Sequence, residues 1–343
     1  MNKSEDYKSL IRLAFLVALV SFQNVVHATD VAKSPAAAVS PVFAAAEVAF
    51  KKGDYAKVTD LLWKDIEKLD RKGLILLAVS HEKKNEPANM MKVATMLTAK
   101  DPKDYEAQYL LGTSQFMSKK NSEALDSLKA SLEINPKYQP AYEKLAEMYE
   151  QKKNTYELRI IYQDMIDKIG KKSEFLNKLC ELNTVQDYQE DQALLFCKEA
   201  IAKDPKNADN YVYMGIVQKS GGNAEESKKA LKSAADTHSK SEFAQFTYAT
   251  LLEEQKSYLE ANKYYEACTN ADGKSARCWA GYAKTAFEIH KYEQALDAFK
   301  KACKLDRKNA VAFRKATTAL RNMKDSNIWA KPFEAGSESC SGY

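Results

Sequence analysis

The chain has 343 residues, 45% hydrophobic and 29% charged, with 11 Gly and 8 Pro, a composition that excludes a disordered or collagen-like polymer. It is too long for one ordinary compact core, yet no Gly/Ser/Pro-rich linker divides it internally. The formal charge of +5, from 52 basic and 47 acidic residues, gives a mixed solvated surface without the concentrated basic stripe of a nucleic-acid protein, so nucleic acid is not an expected partner.

Residues 1–28 read as an export signal. Lys3, Lys8 and Arg12 form a basic front, Leu13 to Phe22 an apolar core, and Val26-His27-Ala28 a small-residue cleavage site. Cleavage is expected between Ala28 and Thr29. A membrane anchor is the rival reading, but a span needs about 20 apolar residues and Gln23-Asn24 interrupts this run. The mature chain is therefore expected in an exported compartment, the periplasm above all, with membrane contact only through the signal before cleavage. Residues 29–40, rich in Ala, read as a flexible leader.

From Pro41 a helical period takes over. Its clearest statement is Ala276 to Asn309: Trp279, Tyr282, Ala283 and Ala286 share one helix face, Ala295, Phe299 and Ala302 share a second, and His290-Lys291-Tyr292 lies between. The small residue at Ala295 recurs in register as Val58, Met90, Ala124, Leu158, Ala193, Ser227 and Ala261, at intervals of 32, 34, 34, 35, 34, 34 and 34. The turn between units recurs too, as Asp101-Pro102-Lys103, Asn135-Pro136-Lys137, Asp204-Pro205-Lys206 and Asp306-Arg307-Lys308.

This pattern resembles the tetratricopeptide repeat, a helical hairpin of 34 residues with an aromatic, a Leu-Gly pair, a Tyr, an Ala, a further aromatic and a closing Pro. Tyr105 to Tyr138 matches well through Leu111-Gly112, Ala124, Leu128 and Pro136. Arg307 stands where the last repeat would have its Pro. The first two units are weaker, with Val58, Asp65, Pro87 and Met90 at places where smaller or helix-continuing residues are usual, as fits the end of an array. The resemblance implies an all-α fold, a right-handed α-solenoid of about eight hairpins over residues 41–323. Ala310 to Met323, with Phe313, Ala316 and Leu320, starts one more first helix and is expected to cap the array with no second helix after it. Residues 324–343 show no helical period and read as an irregular tail, from which Trp329 or Phe333 can dock.

All six cysteines lie in the mature chain, and an even number in an exported protein invites a disulfide reading. Placed on the hairpin, Cys180 and Cys197 lie opposite each other across one turn. Cys268 ends one second helix and Cys278 begins the next first helix. Cys303 and Cys340 would pin the tail. Cys278 with Cys303 is a competing pair, and six buried unpaired thiols are the alternative to any bridge.

No catalytic signature is present: no Cys-x-x-Cys, His-Glu-x-x-His, Gly-x-Ser-x-Gly or phosphate loop. His81, His238 and His290 fall in different repeats. The chain thus reads as a non-enzyme with no catalytic, cofactor or metal set. The informative surface is the first-helix face, which lines the concave groove in tetratricopeptide superhelices. Tyr109, Thr113, Phe116, Met117, Phe175, Leu182, Val185, Val212, Ile216, Phe243, Phe246 and Phe287 fall there by register, an apolar-aromatic lining suited to an extended or helical apolar segment of a partner protein. The Lys/Asn clamp by which some relatives hold a C-terminal carboxylate is absent, since Tyr109, Glu143, Val212 and Phe246 stand at its places and only Lys178 fits; the Glu143, Glu147, Glu150 row suits a basic partner residue instead. The expectation is an exported scaffold or adaptor. A peptidoglycan- or glycan-binding envelope protein, and a subunit of an envelope enzyme complex, stay open as alternatives.

Overall fold

The computed structural model describes residues 41–184, 190–323 and 327–341, which hold 18 α-helices, two short 3-10 segments and no strand. The expected signal and its Ala28/Thr29 cleavage site, the leader, and Val185 of the expected groove lie outside the described residues. The chain divides after Glu86 into two compact units. The first contains α1 (Pro41–Lys51), α2 (Tyr55–Leu62) and α3 (Arg71–Lys83). The second contains α4 (Pro87–Lys100), α5 (Tyr105–Met117), α6 (Asn121–Ile134), α7 (Gln139–Gln151), α8 (Thr155–Lys168), α9 (Ser173–Leu182), α10 (Glu190–Lys203), α11 (Ala208–Ser220), α12 (Ala224–Thr237), α13 (Glu242–Glu254), α14 (Tyr258–Ala271), α15 (Ala276–Glu288), α16 (Tyr292–Leu305), α17 (Ala310–Asn322) and α18 (Asn327–Ser341).

The turns repeat as strictly as the helices. After the first helix of a pair, one residue adopts left-handed backbone: Gly53, Asn85, Lys119, Lys153, Gly222, Lys256 and His290, with φ between 54° and 85°. The next residue's N–H then reaches back to a carbonyl five places earlier, as in Lys120 to Gln115, Asn154 to Tyr149, Ser257 to Leu252 and Lys291 to Ala286, each at 2.9 Å. This closes the helix end and reverses the chain. At the turn between hairpins, the side chains of Asp101, Asn135, Asp272 and Asp306 accept from the N–H two residues on, at 2.9 to 3.1 Å. The following first helix is then capped by Asp104, Asn207, Ser241 or Ser275.

The register residues are buried without exception: Val58, Met90, Ala124, Leu158, Ala193, Ser227, Ala261 and Ala295 are all 5% exposed or less. In six of the eight repeats the residue four places later is large, and Leu128 and Leu231 there pack against a first helix. A Cβ added at Gly112 would come within 2.8 Å of Leu128, and one at Gly215 within 2.6 Å of Leu231, so glycine is what permits the approach. Ser227 adds a hydroxyl bond to the Gly215 carbonyl at 2.7 Å. In the α9–α10 pair the same opposed places are taken by Cys180 and Cys197, joined as a disulfide with Cα atoms 4.6 Å apart. Cys268 is bonded to Cys278 across the α14–α15 turn, and Cys303 on α16 to Cys340 on α18, each with Cα atoms 5.6 Å apart. The competing pair Cys278 with Cys303 is not formed.

The irregular tail expected at 324–343 is corrected: a second helix, α18, does follow α17 and packs on both α17 and α16. Trp329, Phe333, Ser337 and Cys340 recur at helical spacing, and burial of that stripe outweighs the helix-opposing Pro332, Gly336 and serines. Phe333 is fully buried, with ring centroids of Phe287, Phe299 and Phe313 at 5.9, 6.3 and 5.7 Å. Gly336 lets the Phe313 ring lie against α18. Thr317 Oγ1 donates to the Phe333 carbonyl, and Arg321 pairs with Glu334.

Two outcomes follow from this packing. Lys256 is exposed and held in left-handed backbone, so Lys256→Gly is expected to raise stability by about 0.5–1 kcal/mol, measurable by chemical denaturation. Phe299 is 1% exposed and stacked on Phe313 at 4.9 Å; Phe299→Ala is expected to cost about 3–5 kcal/mol, and an unchanged melting curve would contradict the packing described.

Candidate interaction face

In the second unit the first helices lie beside one another. α5 touches α7, and α9, α11, α13, α15 and α17 touch in succession. Across the α7–α9 step, Lys178 lies 3.8 Å from Glu150 and Lys172 donates to Gln139 at 2.6 Å. One continuous face results, formed almost wholly by first helices.

Seven of the expected lining residues are half-buried on this face: Tyr109, Phe116 and Met117 from α5, Leu182 from α9, Ile216 from α11, and Phe243 and Phe246 from α13. All except Met117 rest against the cores beneath. Four expectations are corrected. Phe175, Val212 and Phe287 are 2%, 0% and 9% exposed and belong to the cores rather than the face. Each residue step turns a helix by about 100°, and the α9–α10 hairpin carries one residue more between its opposed positions than its neighbours do, which rotates Phe175 inward. Phe287 is covered by Phe333 of the unexpected α18. Thr113 is fully buried as well.

Sequence reasoning missed the tyrosines that enter this face from other places. Tyr213 on α11 is half-buried and meets Phe243 at 5.5 Å. Tyr162 comes from a second helix, α8. It stands four places after Leu158, the position of Leu128, Leu231 and Tyr265 in other repeats, and that spacing is the signal that could have found it. Tyr265 shows how far such a side chain reaches: its hydroxyl donates to Glu253 of the first helix α13 at 2.6 Å. The Tyr162 hydroxyl is held protonated by burial and then by Glu150, Glu143, Glu181 and Glu174, carboxylates of both α7 and α9.

The face is acidic at its middle. Glu143 stays open to water, yet the protein around it strips enough solvent to push its carboxyl above the usual range, with Glu174 adding to the effect; its Gln139 bond and Lys172 and Lys144 act the other way. Its neighbours in the same row are better compensated, Glu147 by Lys144 at 2.7 Å and Glu150 by Lys178. Elsewhere the protein supplies its own cations between first helices. Lys219 pairs with Glu254 and Lys284 with Glu253. Arg277 pairs with Glu242 through Nε at 2.7 Å while its guanidinium lies 4.4 Å from the Phe246 ring. Burial opposes ionisation of Glu242, but the Arg277 and Ser275 bonds prevail and hold its carboxyl below the usual range.

Among the described residues, one group brings three possible metal-binding side chains together: Glu242, Cys268 and Cys278. The two sulfurs are bonded to each other and the carboxylate is held by Arg277 and Ser275, so the group is a structural junction between α13, α14 and α15. No helix among the described residues is long and apolar enough to cross a membrane.

No family model and no curated protein matches this sequence. Among solved structures, the chain is similar to a tetratricopeptide repeat protein from Parabacteroides merdae ATCC 43184, at 18% identity and a TM-score of 0.49, over 77% of this chain and 98% of that one. It is also similar to pilF of Pseudomonas aeruginosa, at 16% identity and a TM-score of 0.44, over 68% of this chain and 99% of that one. The assignment of the chain as an all-helical tetratricopeptide-type array rests on its own period, turns and buried register.

The raised carboxyl of Glu143 has a stability consequence. A carboxyl whose folded pKa lies above its unfolded value binds protons more readily when folded, so its ionisation at neutral pH opposes folding and the penalty disappears as pH falls through the folded pKa. Glu143→Gln is therefore expected to raise the thermal midpoint at pH 7, with the gain shrinking toward acid pH. Equal midpoints at pH 7 would contradict the electrostatics described.

Proposed function

We propose that this protein is an exported, non-catalytic scaffold that binds a segment of a partner protein on its first-helix face. The observation that carries the reading is the row of half-buried apolar and aromatic side chains on adjacent helices, supported from beneath by the cores and open on the other side. Rigid half-buried aromatics lose little conformational freedom on binding, which suits them to anchor a peptide. An amphipathic helix or extended strand laid across the face meets such anchors at regular intervals. Export rests on the basic front, apolar core and small-residue site of residues 1–28 and on six cysteines that all fall within bonded pairs.

Binding is tested with labelled 12-residue peptides carrying Leu at helical spacing, each beside a scrambled version, measured by fluorescence anisotropy. The patterned peptides are expected to bind the protein at least about tenfold more tightly, and Phe116→Asp with Met117→Asp to remove the difference while leaving the helical content intact. Equal binding of patterned and scrambled peptides, together with cosedimentation on purified peptidoglycan, would replace this reading with the glycan one. Export is tested by N-terminal sequencing of protein recovered from a Gram-negative host, with Thr29 expected as the first residue.

A further inference from the structure

The α9–α11 step differs electrostatically from three other steps along the face. Between α7 and α9, α11 and α13, and α13 and α15, a lysine or arginine of one helix faces a carboxylate of the other. Between α9 and α11, carboxylates stand on both sides: Glu181 on α9 and Asp209 on α11. Glu181 pairs only along its own helix, with Lys178 at 2.9 Å, and Asp209 has no ion pair among the described residues. Water loss, then Glu181 and Glu242, push the Asp209 carboxyl above its ordinary range against a smaller opposing effect of His238.

A second observation at this step concerns a neutral group. Asn210, fully buried next to Asp209, spans the two helices by donating its Nδ2 to Asn177 Oδ1 at 2.8 Å. Its own Oδ1 is buried and receives no hydrogen bond. The step is therefore supplied with acceptors and short of donors, although an unmet buried acceptor and facing carboxylates both cost stability. Beside them is the half-buried Tyr213, near enough that Glu181 and Asp209 add to burial in holding its hydroxyl protonated, and an aromatic ring is a favourable neighbour for a cation. The chain itself shows how such a set is completed, two steps further along, where Arg277 joins a carboxylate of the neighbouring first helix and the ring of Phe246.

We infer that the α9–α11 step is the seat of a lysine or arginine side chain carried by the bound segment, lodged between Glu181 and Asp209 beside Tyr213. The inference rests on the peptide-binding reading given above and specifies its partner: an apolar segment with one cationic anchor. A like-charged side chain at the same place meets two carboxylates, so the site rejects acidic segments as well as favouring basic ones.

The test uses one patterned 12-residue peptide in three versions, with Arg, norleucine or Glu at the central polar position, titrated into the protein at low and at physiological salt. The Arg version is expected to bind about tenfold more tightly than the Glu version, with the gap narrowing as salt rises. Asp209→Asn combined with Glu181→Gln is expected to abolish the preference while keeping affinity for the norleucine version, which shows that the variant is folded and competent. Asp209→Arg is expected to favour the Glu peptide. Equal binding of all three versions, or a preference that survives in the Asn/Gln variant, overturns the cationic anchor and leaves the peptide-binding face standing. Failure of all three versions to bind overturns both.

Discussion

The structure depends on one steric constraint: within each pair, two helices must meet closely at a point where at least one of them carries little side chain. Gly112 under Leu128 and Gly215 under Leu231 show it in its plain form, and Ala124, Ser227, Ala261 and Ala295 supply the matching small position. Because a helix interior tolerates neither voids nor overlap, this meeting point sets the axial offset of the pair. The left-handed residue that closes the first helix then has to fall a fixed distance away. Repetition of these two requirements, rather than of any particular sequence, makes the array regular.

Cys180 and Cys197 gain their bond from the same constraint. Helices packed through ordinary side chains keep their axes about 8–10 Å apart, too far for most bridges. At the close-approach position the Cα atoms come to 4.6 Å, so a disulfide fits with two cysteines standing where a glycine and a leucine stand in other pairs. Tyr162 uses that position differently. A long side chain placed there passes between neighbouring first helices and presents its hydroxyl among their carboxylates, so a second helix contributes chemistry to a face otherwise made by first helices.

Most of the fold was legible because its determinants are local and periodic: the buried small residue, the Asp/Asn turn and the cysteine positions are all fixed by counting along the chain. What was not legible depended on contacts that counting does not reveal. The helix from Asn327 was hidden by Pro332, Gly336 and its serines, and forms because Phe333 finds a ready aromatic pocket. The interaction face was only partly legible, since an apolar residue on a first helix serves equally for core or surface until the rotation of that helix is known. Phe116 and Phe243 fell on the open side; Phe175 and Val212 fell on the closed one. The acidic character of the middle was visible in Glu143, Glu147 and Glu150, whereas the nearness of Glu181 to Asp209 required two helices to be set side by side.

The distribution of the three disulfides gives the molecule a direction in which it comes apart. In a linear array each repeat is held chiefly by its neighbours, and local opening starts wherever the next contact is weakest. All the cross-links lie beyond residue 179: one within a hairpin, one between consecutive hairpins, and one fastening the last helix to the hairpin before it. The helices before α9 carry no such staple. Under heat, pulling or proteolysis the early repeats are the ones free to peel away, while the C-terminal repeats are held as a covalently fastened remnant.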